Sequence, residues 1–119
     1  MHLQCQGSDL NSGMTDITSA AVFDAMLQGK APLVVLWSQK SNVNCSTLAL
    51  DLTSFAPGII ALAKTPPFFV RVDVDANADL AMRYSIRAVP SMMLFVDGSV
   101  VVSETTEADF LAGLKKWIV

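Results

Sequence analysis

The chain has 119 residues, 52% hydrophobic and only 16% charged, with a formal net charge of −3. That length suits one domain with its own core, and the composition excludes a disordered, solvating chain. A net acidic chain without a basic face also argues against nucleic acid as a partner, and no stretch supplies the roughly 20 apolar residues of a membrane-spanning helix. The nearest, Cys45–Ala63, is interrupted by Asp51, Pro57 and Gly58.

Two cysteines, Cys5 and Cys45, and one histidine, His2, are too few for a tetrahedral zinc site. No metal and no cofactor are expected. Nor do two cysteines make the disulfide framework of a small secreted domain. The N-terminus lacks a basic region followed by an apolar core, so a cytoplasmic location is the expectation.

Residues 1–13 are polar, with Gly7, Ser8, Asp9, Asn11, Ser12 and Gly13, and read as a flexible arm before a domain over 14–119. Thr18 is the expected cap of a first helix, with Ile17 and Val22 spaced as a hydrophobic staple. Phe23, Met26 and Leu27 form its apolar stripe, and Gly29 ends it. The run Leu33-Val34-Val35-Leu36-Trp37 is apolar throughout, as in a strand covered on both faces. Ser38–Asn44 is a polar loop. From Ser46 the positions Leu48, Leu52 and Phe55 give a helical pattern, which Pro57-Gly58 must break or kink.

Phe68, Val70, Val72 and Val74 alternate with Phe69, Arg71 and Asp73, which predicts a strand. Asp75 or Asn77 then caps a helix carrying Leu80, Ala81, Met82 and Tyr84. Met92–Val96 is a further strand, Asp97-Gly98 a two-residue hairpin turn, and Ser99–Ser103 the returning strand. Thr106 and Asp109 have capping-box spacing before a last amphipathic helix with Phe110, Leu111, Leu114, Trp117 and Ile118. Strand–helix alternation implies parallel pairing, and the hairpin adds an antiparallel edge. The expected class is α/β, a central mixed sheet of four to five strands flanked by helices on both faces.

The segment "FVRVDVDANADLAMRYSIRAVPSMMLFVDGSVV", residues 69–102, together with "PLVVLWS" ending just past Trp37, resembles the thioredoxin family. The resemblance covers Thr15–Val119. It implies a thioredoxin-like fold in which Pro90 follows a cis peptide bond beside the active-site loop. It also implies a groove between Ser38–Asn44 and Val89-Pro90-Ser91 that accepts an extended peptide.

The chain departs from the family pattern where the redox chemistry resides. Ser41 and Asn44 stand at the two cysteine positions of the family's Cys-x-x-Cys motif, and Val43 replaces the proline between them. Val35 stands at the buried acid two residues before Trp37, and Glu104-Thr105-Thr106 lacks the family's glycine. Disulfide exchange needs one thiolate to attack and a second thiol to resolve the mixed disulfide. A serine and an asparagine supply neither.

Two functions therefore follow. The first is a non-catalytic binding or scaffold domain whose groove, built from Trp37, Ser41, Asn44, Val89 and Pro90, holds a protein or extended peptide, with Val89 supplying backbone hydrogen bonds and Trp37 an apolar wall, although Trp37 also reads as a structural residue that shields the loop. The second is a monothiol thiol-disulfide oxidoreductase or redox sensor acting through Cys45, near a helix N-terminus that favours a thiolate. Against the second stands the burial typical of lone cysteines, which would make Cys45 a small packed hydrophobe. The high apolar content leaves a homodimer open as a further partner. Asp73 and Asp75 read as strand-end and helix-capping groups, Arg71 and Arg87 match basic or polar family positions without requiring a role, and at least two of Met82, Met92 and Met93 belong to the core.

Overall fold

The computed structural model describes residues 14–39, 64, 65 and 67–118. The expected arm, the loop residues Ser41 and Asn44, Cys45, and the helix expected from Ser46 lie outside the described residues. Among the described residues, eight elements run in order β1 (Thr15–Asp16), α1 (Ala20–Leu27), β2 (Leu33–Ser38), β3 (Phe68–Asp73), α2 (Ala78–Arg83), β4 (Ser91–Val96), β5 (Ser99–Glu104) and α3 (Glu107–Ile118). The strands form one mixed sheet of order β1-β3-β2-β4-β5. β1 and β2 flank β3 in parallel, β4 is antiparallel to β2, and β5 is antiparallel to β4.

β2 is central and every one of its residues is buried. Its alternating side chains feed two cores. Leu33, Val35 and Trp37 pack with Ile17, Phe23, Val70, Val72, Leu80, Met93 and Phe95 on one face. Val34 and Leu36 pack with Phe69, Met92, Leu94, Val102, Phe110 and Leu114 on the other. Each fully buried aliphatic or aromatic side chain contributes about 1.5–3 kcal/mol, so a continuous apolar strand is the natural centre of a two-faced sheet. On the first face Phe23 is ringed by Trp37, Tyr84 and Phe95, with ring centroids 6.0, 5.7 and 5.5 Å away.

The hairpin forms as expected. Asp97 and Gly98 both have positive φ, 52° and 81°, the backbone of a type I′ turn. A register shift between Leu94 and Phe95 marks an irregularity within the pair. The Thr106 Oγ1 accepts from the Asp109 amide at the start of α3. A Cβ on Gly113 would lie 2.8 Å from Val102 Cγ1, so glycine lets α3 lie close against β5.

Four expectations need correction. The cap of α1 is Ser19, not Thr18: its backbone is extended and its hydroxyl accepts from the Val22 amide. Ile17 instead continues the sheet, its amide donating to the Arg71 carbonyl at 2.9 Å, and Val22 is exposed, so no staple forms. The two-residue strand β1 was not expected at all. In β3, Phe68 is exposed while Phe69, Val70, Arg71 and Val72 are all buried, because both faces are covered. Asn77 sits at the cap position of α2 without capping it. Its side-chain amide donates to the carbonyls of Ile17 and Asp73 and ties the β3–α2 turn to β1.

Arg71 is the costly residue of this core. It is 2% exposed, and its Nε donates to the Asp16 carboxylate at 3.1 Å across the β1–β3 pair. Its two terminal nitrogens have no hydrogen-bond partner among the described residues. Desolvating a cation offsets most of what the ion pair gains, whereas stripping away its partner leaves a buried bare charge. Arg71→Met is therefore expected to be neutral or stabilising in urea denaturation. Asp16→Ala is expected to cost about 1–3 kcal/mol, discounted because Asp16 is half exposed. The reverse ranking would contradict this reading of Arg71.

Candidate functional site

The sheet register converges three chain segments at one end. β2 ends at Ser38, opposite Asp73 of β3, while Trp37 faces Ser91 at the start of β4. The Val74 amide donates to the Ser38 carbonyl at 2.8 Å, which extends the β2–β3 pairing one step past Asp73. Gln39 follows, and its side-chain amide donates to both carboxylate oxygens of Asp75, at 3.1 and 3.4 Å. Asp73 Oδ1 accepts from the amides of Asp75 and Ala76 and closes the turn below.

The opposite wall is the chain between α2 and β4. α2 ends in a Schellman arrangement: the Ser85 amide donates to Met82 O and the Ile86 amide to Ala81 O, at 3.2 and 2.9 Å. Ser85 occupies the left-handed position with φ 56°. The Val89–Pro90 peptide is cis. The Ser91 hydroxyl donates back to the Ala88 carbonyl, so residues 88–91 form a closed turn.

Between these walls lies a pocket of about 180 Å³, lined by Gln39, Val74, Ile86, Arg87, Ala88 and Val89. Of the expected groove residues, Val89 lines this pocket and Pro90 follows it in the chain. Trp37 is not among the lining residues. It is completely buried, 5.8 Å from Tyr84 between ring centroids, and its alternation with Leu33 and Val35 points it into the core. It is a structural residue and walls no groove. Ser41, Asn44 and Cys45 fall outside the described residues. Gln39, Val74, Ile86 and Ala88 were not anticipated as site residues. The only signal for them was adjacency to the end of one strand and to the "SIRAVPS" turn.

The charges on the segments that lead into these walls are unequal in their partners. Arg83 pairs with Asp24 at 2.6 Å and lies over the Tyr84 ring. Hydrogen bonds that its guanidinium makes with Asp24, then with Tyr84, push it above its already high ordinary pKa. Asp75 is occupied by Gln39. Arg87 is exposed on the pocket wall. At the position of the family's buried acid, Val35 is fully buried amid the aromatic cluster. Among the described residues no cluster of three or more His, Cys, Asp or Glu side chains could hold a metal, and no helix is long and apolar enough to cross a membrane.

The family model for thioredoxin matches residues 14–119. The chain belongs to the thioredoxin family. Among solved structures, a Plasmodium falciparum thioredoxin superposes with a TM-score of 0.76 at 18% identity, covering 87% of this chain and 99% of that one. Mitochondrial thioredoxin 3 of Saccharomyces cerevisiae gives 0.75 at 21% identity, covering 87% and 94%. These likenesses establish the thioredoxin fold. By sequence the chain is 27% identical over 97 residues to protein disulfide isomerase-like 1-4 of Oryza sativa, covering 82% of this chain and 17% of that protein. It is 32% identical over 95 residues to an uncharacterized protein of Mycobacterium bovis, covering 77% of this chain and 30% of that protein. The chain therefore spans less than a third of the length of either relative.

Within this thioredoxin fold the site wall hangs on Ser85. A left-handed serine costs roughly 1–2 kcal/mol relative to its right-handed form, and glycine relieves that cost while losing more freedom on folding. Ser85→Gly is expected to stabilise by about 0.5–1 kcal/mol, seen as a melting rise of roughly 2–4 °C. A fall in melting temperature would mean that the Ser85 side chain, rather than its backbone, holds the turn.

Proposed function

We propose that this thioredoxin-family domain is a non-catalytic binding module that docks an extended segment of a partner protein beside Val89 and Pro90. The observation that carries the reading is a pairing: Ser41 and Asn44 occupy the dithiol positions, while a pocket is lined by Val89, the residue before Pro90. A dithiol exchange cycle needs a thiolate and a resolving thiol, and serine and asparagine provide neither. Val35 likewise leaves no carboxylate at the buried-acid position to move a proton.

The pocket's size favours a side chain over a small molecule. Small-ligand sites run about 300–1,000 Å³, and this one is about 180 Å³, enough for one aliphatic side chain. Val74, Ile86 and Val89 supply apolar contact and Gln39 a polar rim. A partner strand running along residues 86–89 uses the recognition mode in which an extended peptide lies against existing backbone and alternate side chains enter pockets.

The test is selection of peptides from a random extended-peptide library, with affinities measured by fluorescence polarisation. Ala88→Trp, which fills the pocket from an exposed position, is expected to weaken selected peptides at least tenfold with unchanged melting. Selected peptides that bind the Ala88→Trp protein equally well would contradict the reading. So would disulfide reduction of insulin that is catalytic and lost on Cys45→Ser, because that outcome makes the domain a monothiol enzyme.

A further inference from the structure

We infer that the docked segment carries an acidic side chain close to the aliphatic residue that enters the pocket, and that Arg87 selects it. The inference rests on the docking reading above and adds the partner's chemistry. Three observations carry it. Arg87 lines the pocket and is exposed, and no ion pair joins it to another described residue. The neighbouring arginine, Arg83, is already committed to Asp24. The nearby acid, Asp75, is outside the lining and directs both carboxylate oxygens at Gln39, which stands on the pocket wall.

The electrostatic pattern is therefore a cation with unused donors beside an apolar depression, in a chain whose net charge is −3. A guanidinium presents five donors in a planar fork that matches a carboxylate, and on an exposed wall it can meet one without desolvating its whole surface. An extended peptide places side chains i and i+2 on the same face, roughly 7 Å apart. An aliphatic residue seated against Val74 and Ile86 thus leaves its neighbour two positions away within reach of the long Arg87 side chain. The partner motif is an aliphatic residue with Glu or Asp two positions to one side. A basic residue there meets a like charge and is rejected, so the selectivity has a repulsive as well as an attractive part.

The test uses an array of nine-residue peptides with a central leucine, in which Glu, Gln or Lys is placed at each other position in turn, with the full chain as the binding protein. At one position two residues from leucine, Glu is expected to bind about two- to fivefold more tightly than Gln, the range for an exposed ion pair, and Lys more weakly than Gln. The preference should shrink in 0.5 M salt, where screening is strong. Arg87→Glu should invert the order, Lys above Gln above Glu. Neutral peptides that bind and are lost on Ala88→Trp, but with no order among Glu, Gln and Lys, would overturn the role of Arg87 and leave the docking reading standing. Failure of every peptide to bind would overturn both.

Discussion

The double pairing of β2 is the constraint on which the rest depends. Its parallel register with β3 and antiparallel register with β4 are set by side chains that must enter one of two dry cores. A slip of one residue in either pair would send Leu33, Val35 and Trp37 to the opposite face and strand Leu36 among rings. With the register held, the end of β2, the end of β3 and the start of β4 meet at one edge. Gln39, Val74 and Val89 become neighbours although they are far apart in the chain. The pocket is a by-product of sheet packing.

On that scaffold the chain keeps the thioredoxin fold and departs from the family's redox sequence pattern. The turn 88–91, closed by Ser91 and containing the cis Val89–Pro90 bond, presents a wall of ordinary aliphatic residues. Where exchange chemistry needs thiols and a buried acid, the chain has Ser41, Asn44 and Val35. Val35 is fully buried against Phe23 and its neighbours, an environment that would penalise a charged carboxylate heavily. The core has therefore been repacked as an apolar one around that position, rather than left with a polar gap. Such a core holds no carboxylate at this position.

Much of the fold was legible because its elements carry strong periods. A five-residue apolar run announces a strand covered twice, and Asp-Gly between two alternating runs announces a type I′ hairpin. The missed features are those with weak local signals. β1 is two residues long, too short to show any alternation, and exists only because β3 offers an edge beside Thr15 and Asp16. Thr18 and Ser19 are both competent caps, and the choice falls to Ser19 because Ile17 is drawn into the sheet. Arg71 stands as a charged residue in the alternating pattern of β3, with nothing local to mark it as buried, yet it sits inside with Asp16 as its partner. The site was only half legible. Val89 and Pro90 followed from the turn motif, but the pocket joins residues 39, 74 and 86–89 through register alone. Trp37 admits two readings in the sequence, a structural residue or a groove wall, and its spacing from Leu33 and Val35 places it on a buried face.

The account's central claim is that partners dock on residues 86–89 at the convergent edge of the sheet. The most direct measurement is an amide chemical-shift titration of the isotopically labelled chain with a library-selected peptide. The account predicts that saturable shifts concentrate at Gln39, Val74 and Ile86–Val89, with little change along β5 and α3. Saturable shifts confined to β5 or α3, with the pocket residues unmoved, would contradict it.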